Sequence, residues 1–182
     1  MKKILFRCLA GSIPLFALFG NSIAQNAGIS YASFKEVPTK VYVFDEMKAE
    51  GATLINNIGD VHARALKEFS KSFKSITNAS WYQMQDGGFV AKFKLGSTET
   101  RVDYDKKGRW LATVRTYTES DLPKEIRHMV KSTYYDYNIF LVQEVTVGDK
   151  TAYLVKIEDA GTFKTIRVLD GEMDEYENYN KG

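Results

Sequence analysis

Phe89-Val90-Ala91-Lys92-Phe93-Lys94, a Gly-Ser break, and Thr100-Arg101-Val102-Asp103-Tyr104-Asp105-Lys106-Lys107-Gly108 form a pair of alternating runs closed by a turn. The same pattern returns as Tyr153-Leu154-Val155-Lys156-Ile157-Glu158, an Ala-Gly break, and Lys164-Thr165-Ile166-Arg167-Val168-Leu169-Asp170-Gly171. The offset of about 64 residues is longer than a solenoid repeat and suits a small unit present twice. In the first copy Phe89, Ala91, Phe93 and Leu95 alternate with Val90, Lys92 and Lys94, which gives an antiparallel sheet one apolar and one mixed face. Asp86-Gly87-Gly88, Asp105-Lys106-Lys107-Gly108, Gly148-Asp149 and Asp170-Gly171 supply tight connections.

Each pair of runs follows a helical signal. His62, Ala65, Leu66, Phe69, Phe73 and Ile76 recur at spacings of three and four behind Asp60, a candidate N-cap, while Arg64, Lys67, Lys71 and Lys74 fall on the other face. In the second copy Asp121 is the candidate cap, Pro123 suits a first turn, and Ile126, Met129, Val130 and Tyr134 continue the stripe. The predicted fold is therefore α+β: two tandem units, 61–119 and 120–182, each an α-helix on a roughly four-stranded antiparallel meander.

Outside the repeat, residues 1–24 read as a secretory signal. Lys2, Lys3 and Arg7 precede the apolar stretch Ile13–Phe19, and Ser22-Ile23-Ala24 makes a small-x-small site with cleavage expected after Ala24. Gly11, Pro14 and Gly20 interrupt the apolar run, which is well short of the roughly 20 residues a spanning helix needs, so no membrane insertion is expected once it is cleaved. Residues 25–60 read as an arm or an added strand, with Val41-Tyr42-Val43-Phe44 as its strand-like part.

Cleavage changes the charge balance. Of 25 basic residues three lie in the leader and none of the 23 acidic ones does, leaving 22 against 23 and a formal charge of −1. With no basic stripe, nucleic acid is not an expected partner. Cys8 leaves with the leader, so disulfides, thiolate ligands and a Cys nucleophile are excluded from the mature chain.

No constellation for chemistry emerges. Asp103-x-Asp105-x-x-Gly108 starts like a calcium loop, but Lys107 stands at the third acidic place and no Glu closes it, so it reads as a strand running into a turn. His62 and His128 lack helical partners three or four residues away. No G-x-S-x-G or phosphate-binding Gly-rich loop is present, and the Glu172, Asp174, Glu175 and Glu177 cluster reads as a solvated sheet edge. The chain is expected to be no enzyme and to carry no cofactor, metal or catalytic residue.

The run from Phe73 to Lys94 with Asn78-Ala79-Ser80-Trp81, then Asp105-Lys106-Lys107-Gly108-Arg109-Trp110 and the Asp121-Leu122-Pro123 opening of the second copy, resembles secreted proteins of Bacteroidetes described as PepSY-like or β-lactamase-inhibitor-like. The resemblance covers about 120 residues, both copies, and rests on many moderate positions. It implies tandem helix-and-sheet units, an extracytoplasmic location and no established enzymatic activity. Shared architecture does not carry inhibition with it.

Aromatic content supplies the remaining functional signal, because exposed Tyr and Trp on an open sheet make good anchors for a protein. Trp81 and Trp110 are expected beneath the first helix. Tyr82, Tyr117 and Tyr135 fall off the inward positions and, with Arg101, Arg115 and Arg167 on the outer sheet face, make the candidate binding surface. The function expected is a periplasmic or secreted module that binds an envelope or extracellular protein or peptide. The alternatives are a small-ligand or envelope-polymer binder with a cleft between the units and, third, a hydrolase.

Overall fold

A computed structural model describes residues 51–182. The leader expected at 1–24 and the strand expected at 41–44 lie outside the described residues. The elements run β1 (Thr53–Ile55), α1 (Ala63–Ser72), β2 (Ser80–Gln83), β3 (Phe89–Leu95), β4 (Thr98–Tyr104), β5 (Trp110–Tyr117), α2 (Lys124–Thr133), β6 (Asn138–Val147), β7 (Lys150–Glu158), β8 (Thr162–Leu169) and β9 (Glu172–Asn180). Among the described residues no helix is long and apolar enough to cross a membrane.

The expectation of two tandem α+β units is corrected here. Among the described residues nine strands form one antiparallel sheet in chain order, a mostly β architecture with two ten-residue helices. The ladder does not break at the repeat boundary, because β5 pairs with β6 from Thr113↔Thr146 to Tyr117↔Val142. Had the copies closed separately, each would have left a row of unpaired N–H and C=O groups at that line; joining them satisfies both edges.

Both helices lie on one face. Phe69 of α1 shares one buried cluster with Trp81, Phe89, Ala91, Phe93, Val102 and Tyr104, and Val130 of α2 shares another with Tyr117, Val142, Val155, Ile157, Ile166 and Val168. Following the register from Val102 to Thr113 and along β5 to Tyr117 keeps the same side of the sheet throughout. Phe69 is the hub of the first cluster, with ring centroids 5.1, 5.3 and 5.6 Å from Phe73, Trp81 and Phe93.

The helix starts differ in detail from the sequence reading. His62, not Asp60, caps α1, its Nδ1 accepting from the Arg64 N–H at 3.1 Å, and Asp60 ends a short 3-10 turn capped by Asn57. Pro123 itself occupies the cap position of α2, with Asp121 in a second 3-10 turn. The Asp105 turn docks against the start of α1. Gly108 has φ +70°, and a Cβ there would sit 2.7 Å from the Ala65 amide nitrogen.

The opposite face is also apolar. Ala112, Val114, Val145, Val147, Ala152 and Leu154 form a third buried cluster built from sheet residues alone, with Leu169 against it. One row crosses it as Val114↔Val145, Val145↔Ala152 and Ala152↔Leu169. The two-sided pattern explains why β4 is buried at five consecutive residues, Thr100–Tyr104.

Candidate functional site

On the helix-free face, Lys92 of β3 stands opposite Arg101 of β4, and Arg101 opposite Val114 of β5. The next row runs Lys94, Glu99, Thr116 and Gln143 across β3 to β6. Between these rows lies a cavity of about 400 Å³, whose lining includes Tyr82, Lys92, Lys94, Arg101, Leu141 and Gln143. Strand alternation puts long polar side chains there, because Phe89, Ala91 and Phe93 of β3 and Val102 and Tyr104 of β4 are spent on the α1 side.

Charge is concentrated at one side. The Arg101 Nε donates to Asp103 Oδ1 at 2.5 Å, and both side chains are buried. Burial pushes the Asp103 carboxyl above the usual carboxylate range, against the pull of the Arg101 guanidinium. The Lys92 ammonium lies 4.9 Å from the centroid of the Tyr82 ring, and burial, with Arg101 nearby, lowers its pKa. Lys94 is exposed and forms an ion pair with Glu99 at 3.6 Å. Gln143 is 1 % exposed, and its Oε1 accepts no hydrogen bond among the described residues; nor does Asp103 Oδ2. A buried acceptor left empty costs about 1–3 kcal/mol, so the cavity has an unmet demand for a donor.

The six candidate binding residues do not assemble into one surface. Tyr82 and Arg101 line the cavity, though Arg101 is buried in its pair with Asp103 instead of exposed on the sheet. Arg167 shares the helix-free face, bidentate to Asp174 at 2.9 and 3.0 Å and over the Tyr176 ring. Arg115 and Tyr117 lie on the helix side, a correction to their placement outward. Tyr117 is 5 % exposed and donates to Glu144 Oε2 at 2.8 Å, while Arg115 reaches Glu144 Oε1 at 3.1 Å. Burial, then the Glu144 bond, raises the Tyr117 pKa. The reason is parity: the apolar Ala112 and Val114, which look inward by alternation, face the second apolar side, and that leaves Arg115 and Tyr117 on the helix side. Tyr135 is 74 % exposed in the turn after α2, away from the sheet.

Trp81 is buried under α1, whereas Trp110 is 36 % exposed and its indole donates to Thr113 Oγ1 at 3.0 Å. Asp105 receives the Lys107 and Arg109 amides and the Arg109 side chain, as a turn residue does. His62 and His128 are exposed on different helices, and among the described residues no three His, Cys, Asp or Glu side chains gather as a metal would require. Lys92, Leu141 and Gln143 escaped the sequence reading. A signal for Gln143 was present, since it shares parity with Val145 and Val147 in a strand whose apolar residues occupy both faces.

No family model matches the chain, and no curated protein matches it. Among solved structures it is similar to a DUF2874 family protein from Bacteroides ovatus, with TM-score 0.53 and 16 % identity over 65 % of this chain and 86 % of that one. A BLIP-like protein from Bacteroides fragilis is similar at TM-score 0.51 and 16 % identity, covering 64 % of this chain and 84 % of that one. A Bacteroides eggerthii protein described as a candidate periplasmic protein matches at TM-score 0.51 and 16 % identity over 65 % and 87 %. At such identity the likeness concerns the fold alone.

Proposed function

We propose that the chain is an extracytoplasmic, non-enzymatic binding module that takes a protein or peptide on the helix-free face of its sheet. The single observation carrying this reading is the cavity between the Lys92–Arg101 row and the Lys94–Gln143 row, where cationic, aromatic and apolar side chains converge around the empty Gln143 acceptor. Such convergence of a few polar groups on an apolar wall is what binding sites share. The inhibitor-like and PepSY-like kinship, cleavage after Ala24 and a periplasmic destination belong to the same proposal, with support from the BLIP-like and candidate periplasmic fold neighbours. So does the division into a first unit, 61–119, and a second, 120–182. A small-ligand reading draws on the cavity taking side chains from both β2–β4 and β6.

The test is a photo-crosslinking amino acid placed at Tyr82 on the helix-free face and, separately, at exposed His128 on α2, in the producing cell. The reading expects a discrete crosslinked protein from position 82 and none from 128. Equal products at both positions, or none at 82 from a folded protein, would contradict it.

A further inference from the structure

The cavity makes two demands at once. Among the described residues lining it, Lys92, Lys94 and Arg101 are cationic and Glu99 alone is acidic, which favours an anion. Arg101 is paired with Asp103 and Lys94 with Glu99, and Lys92 keeps an interaction within the protein, so an incoming anion meets three cations set against two carboxylates. The second demand is for a donor. Gln143 is buried and its Oε1 is empty among the described residues, and an anionic group by itself has no proton to give it.

Adjacent strands lie about 4.8 Å apart, so Arg101 and Gln143, two strands and one row apart, stand roughly 12 Å from each other at the backbone. Long side chains from both ends leave room for one small group between them. The ligand must therefore carry an anion and an N–H or O–H donor within a few bonds, next to an apolar part that meets Leu141 and Val114.

In a polypeptide only the last residue has a carboxylate and an amide N–H on the same carbon; in an Asp or Glu residue, one or two methylenes intervene. We propose that the cavity receives the C-terminal end of a peptide chain. The terminal carboxylate lies toward Arg101, Lys92 and Lys94, the last backbone N–H donates to Gln143 Oε1, and the last side chain rests on Leu141 and Val114. A volume of about 400 Å³ accommodates one or two residues, with the remaining peptide leaving over Tyr82. The inference rests on the helix-free face being a binding surface and names the chemistry it selects.

The test titrates N-acetyl-Ala-Ala-Phe, its C-terminal amide, N-acetylphenylalanine and an internal Glu peptide blocked at both ends into the full mature chain, read by amide NMR shifts. The free acid is expected to move the Gln143 side-chain amide and the backbone of Lys92, Arg101 and Thr116, to bind at least about tenfold more tightly than the amide and the internal Glu peptide, and to bind more tightly than N-acetylphenylalanine, which lacks the residues that run over Tyr82. Lys94→Glu, on an exposed residue, is expected to weaken the free acid about tenfold and leave the amide unchanged. Gln143→Met is expected to weaken acid and amide alike, since both bring the N–H. Equal binding of acid and amide overturns the carboxylate assignment. N-acetylphenylalanine matching the tripeptide overturns the peptide assignment, and shifts confined to other parts of the protein overturn the site. If these probes fail while position 82 still crosslinks a partner, the C-terminal inference falls and the binding face stands; if both fail, the face falls too.

Discussion

At the scale of single residues, two carboxylates respond to acid in opposite directions. Asp159 receives the Gly161 N–H at 2.8 Å and the Thr162 N–H and hydroxyl at 2.7 and 3.0 Å, and these bonds, the Gly161 one foremost, hold its pKa down to about 2. A folded value below the unfolded one means stability that is present above the ordinary value of 3.8 and is lost as pH falls toward 2. Asp159→Asn, which keeps an acceptor and removes the charge, is expected to flatten that part of the acid limb in urea titrations run at successive pH. Asp103 works the other way. Burial raises its folded pKa, so the folded state holds the proton more readily and stability declines as pH rises through the interval above 3.8. Arg101→Met removes the guanidinium from a buried carboxylate and is expected to cost about 3 kcal/mol or more at neutral pH. The loss should shrink as pH falls and Asp103 takes up a proton. Arg101→Met with Asp103→Leu should recover most of it; a double variant no more stable than the single would refute the pairing account.

Elements are fixed by where they dock, and the turn before β5 shows how locally that is decided. Gly108 needs a positive φ and also lets the turn approach the first amides of α1, whereas Gly96, at φ +61°, has nothing within 4 Å of a would-be Cβ. Gly96→Ala is expected to cost about 1 kcal/mol for the left-handed backbone alone. Gly108→Ala should cost about 1–3 kcal/mol more, since a backbone nitrogen cannot step aside as a side chain does. Chemical denaturation of the two variants makes the comparison. Phe69→Ala, at the hub of the α1 cluster, is expected to cost about 3–5 kcal/mol by the same measurement. The helical stripes were legible in the sequence: Phe69 with Ala65, and Val130 with Ile126 and Met129, lie where their spacing put them. The face of β5 was not, because alternation tells one side of a strand from the other but not which side a helix covers. With Ala112 and Val114 apolar on one parity and Tyr117 on the other, only the α2 contact chooses. Bulges in the pairings of β4, β6 and β8 add single-residue slips that a period of two does not reveal.

For the whole molecule, the repeat read from Phe89–Gly108 and Tyr153–Gly171 gave the strands but not their sharing of one sheet. A sequence encodes each strand's two faces, whereas the pairing of β5 with β6 is a matter of edges, which leave little mark on composition. The candidate site was hidden for the same reason: Lys92, Arg101 and Gln143 come together only through lateral register across β3 to β6. A shared sheet has a measurable consequence. Trp81 and Trp110 report the β2 and β5 regions, while far-UV circular dichroism reports the entire ladder, and their urea transitions are expected to coincide. A fluorescence transition separated from the dichroic one would show halves that melt independently. The strand order β1 to β9 carries a further implication for biogenesis. Each strand after β1 is laid beside its predecessor, so in a chain delivered N-terminus first through a narrow channel every newly emerged strand finds the preceding one already outside to pair with. By the same geometry, a polypeptide cut short after β8 ends with a fresh margin and no gap in its interior.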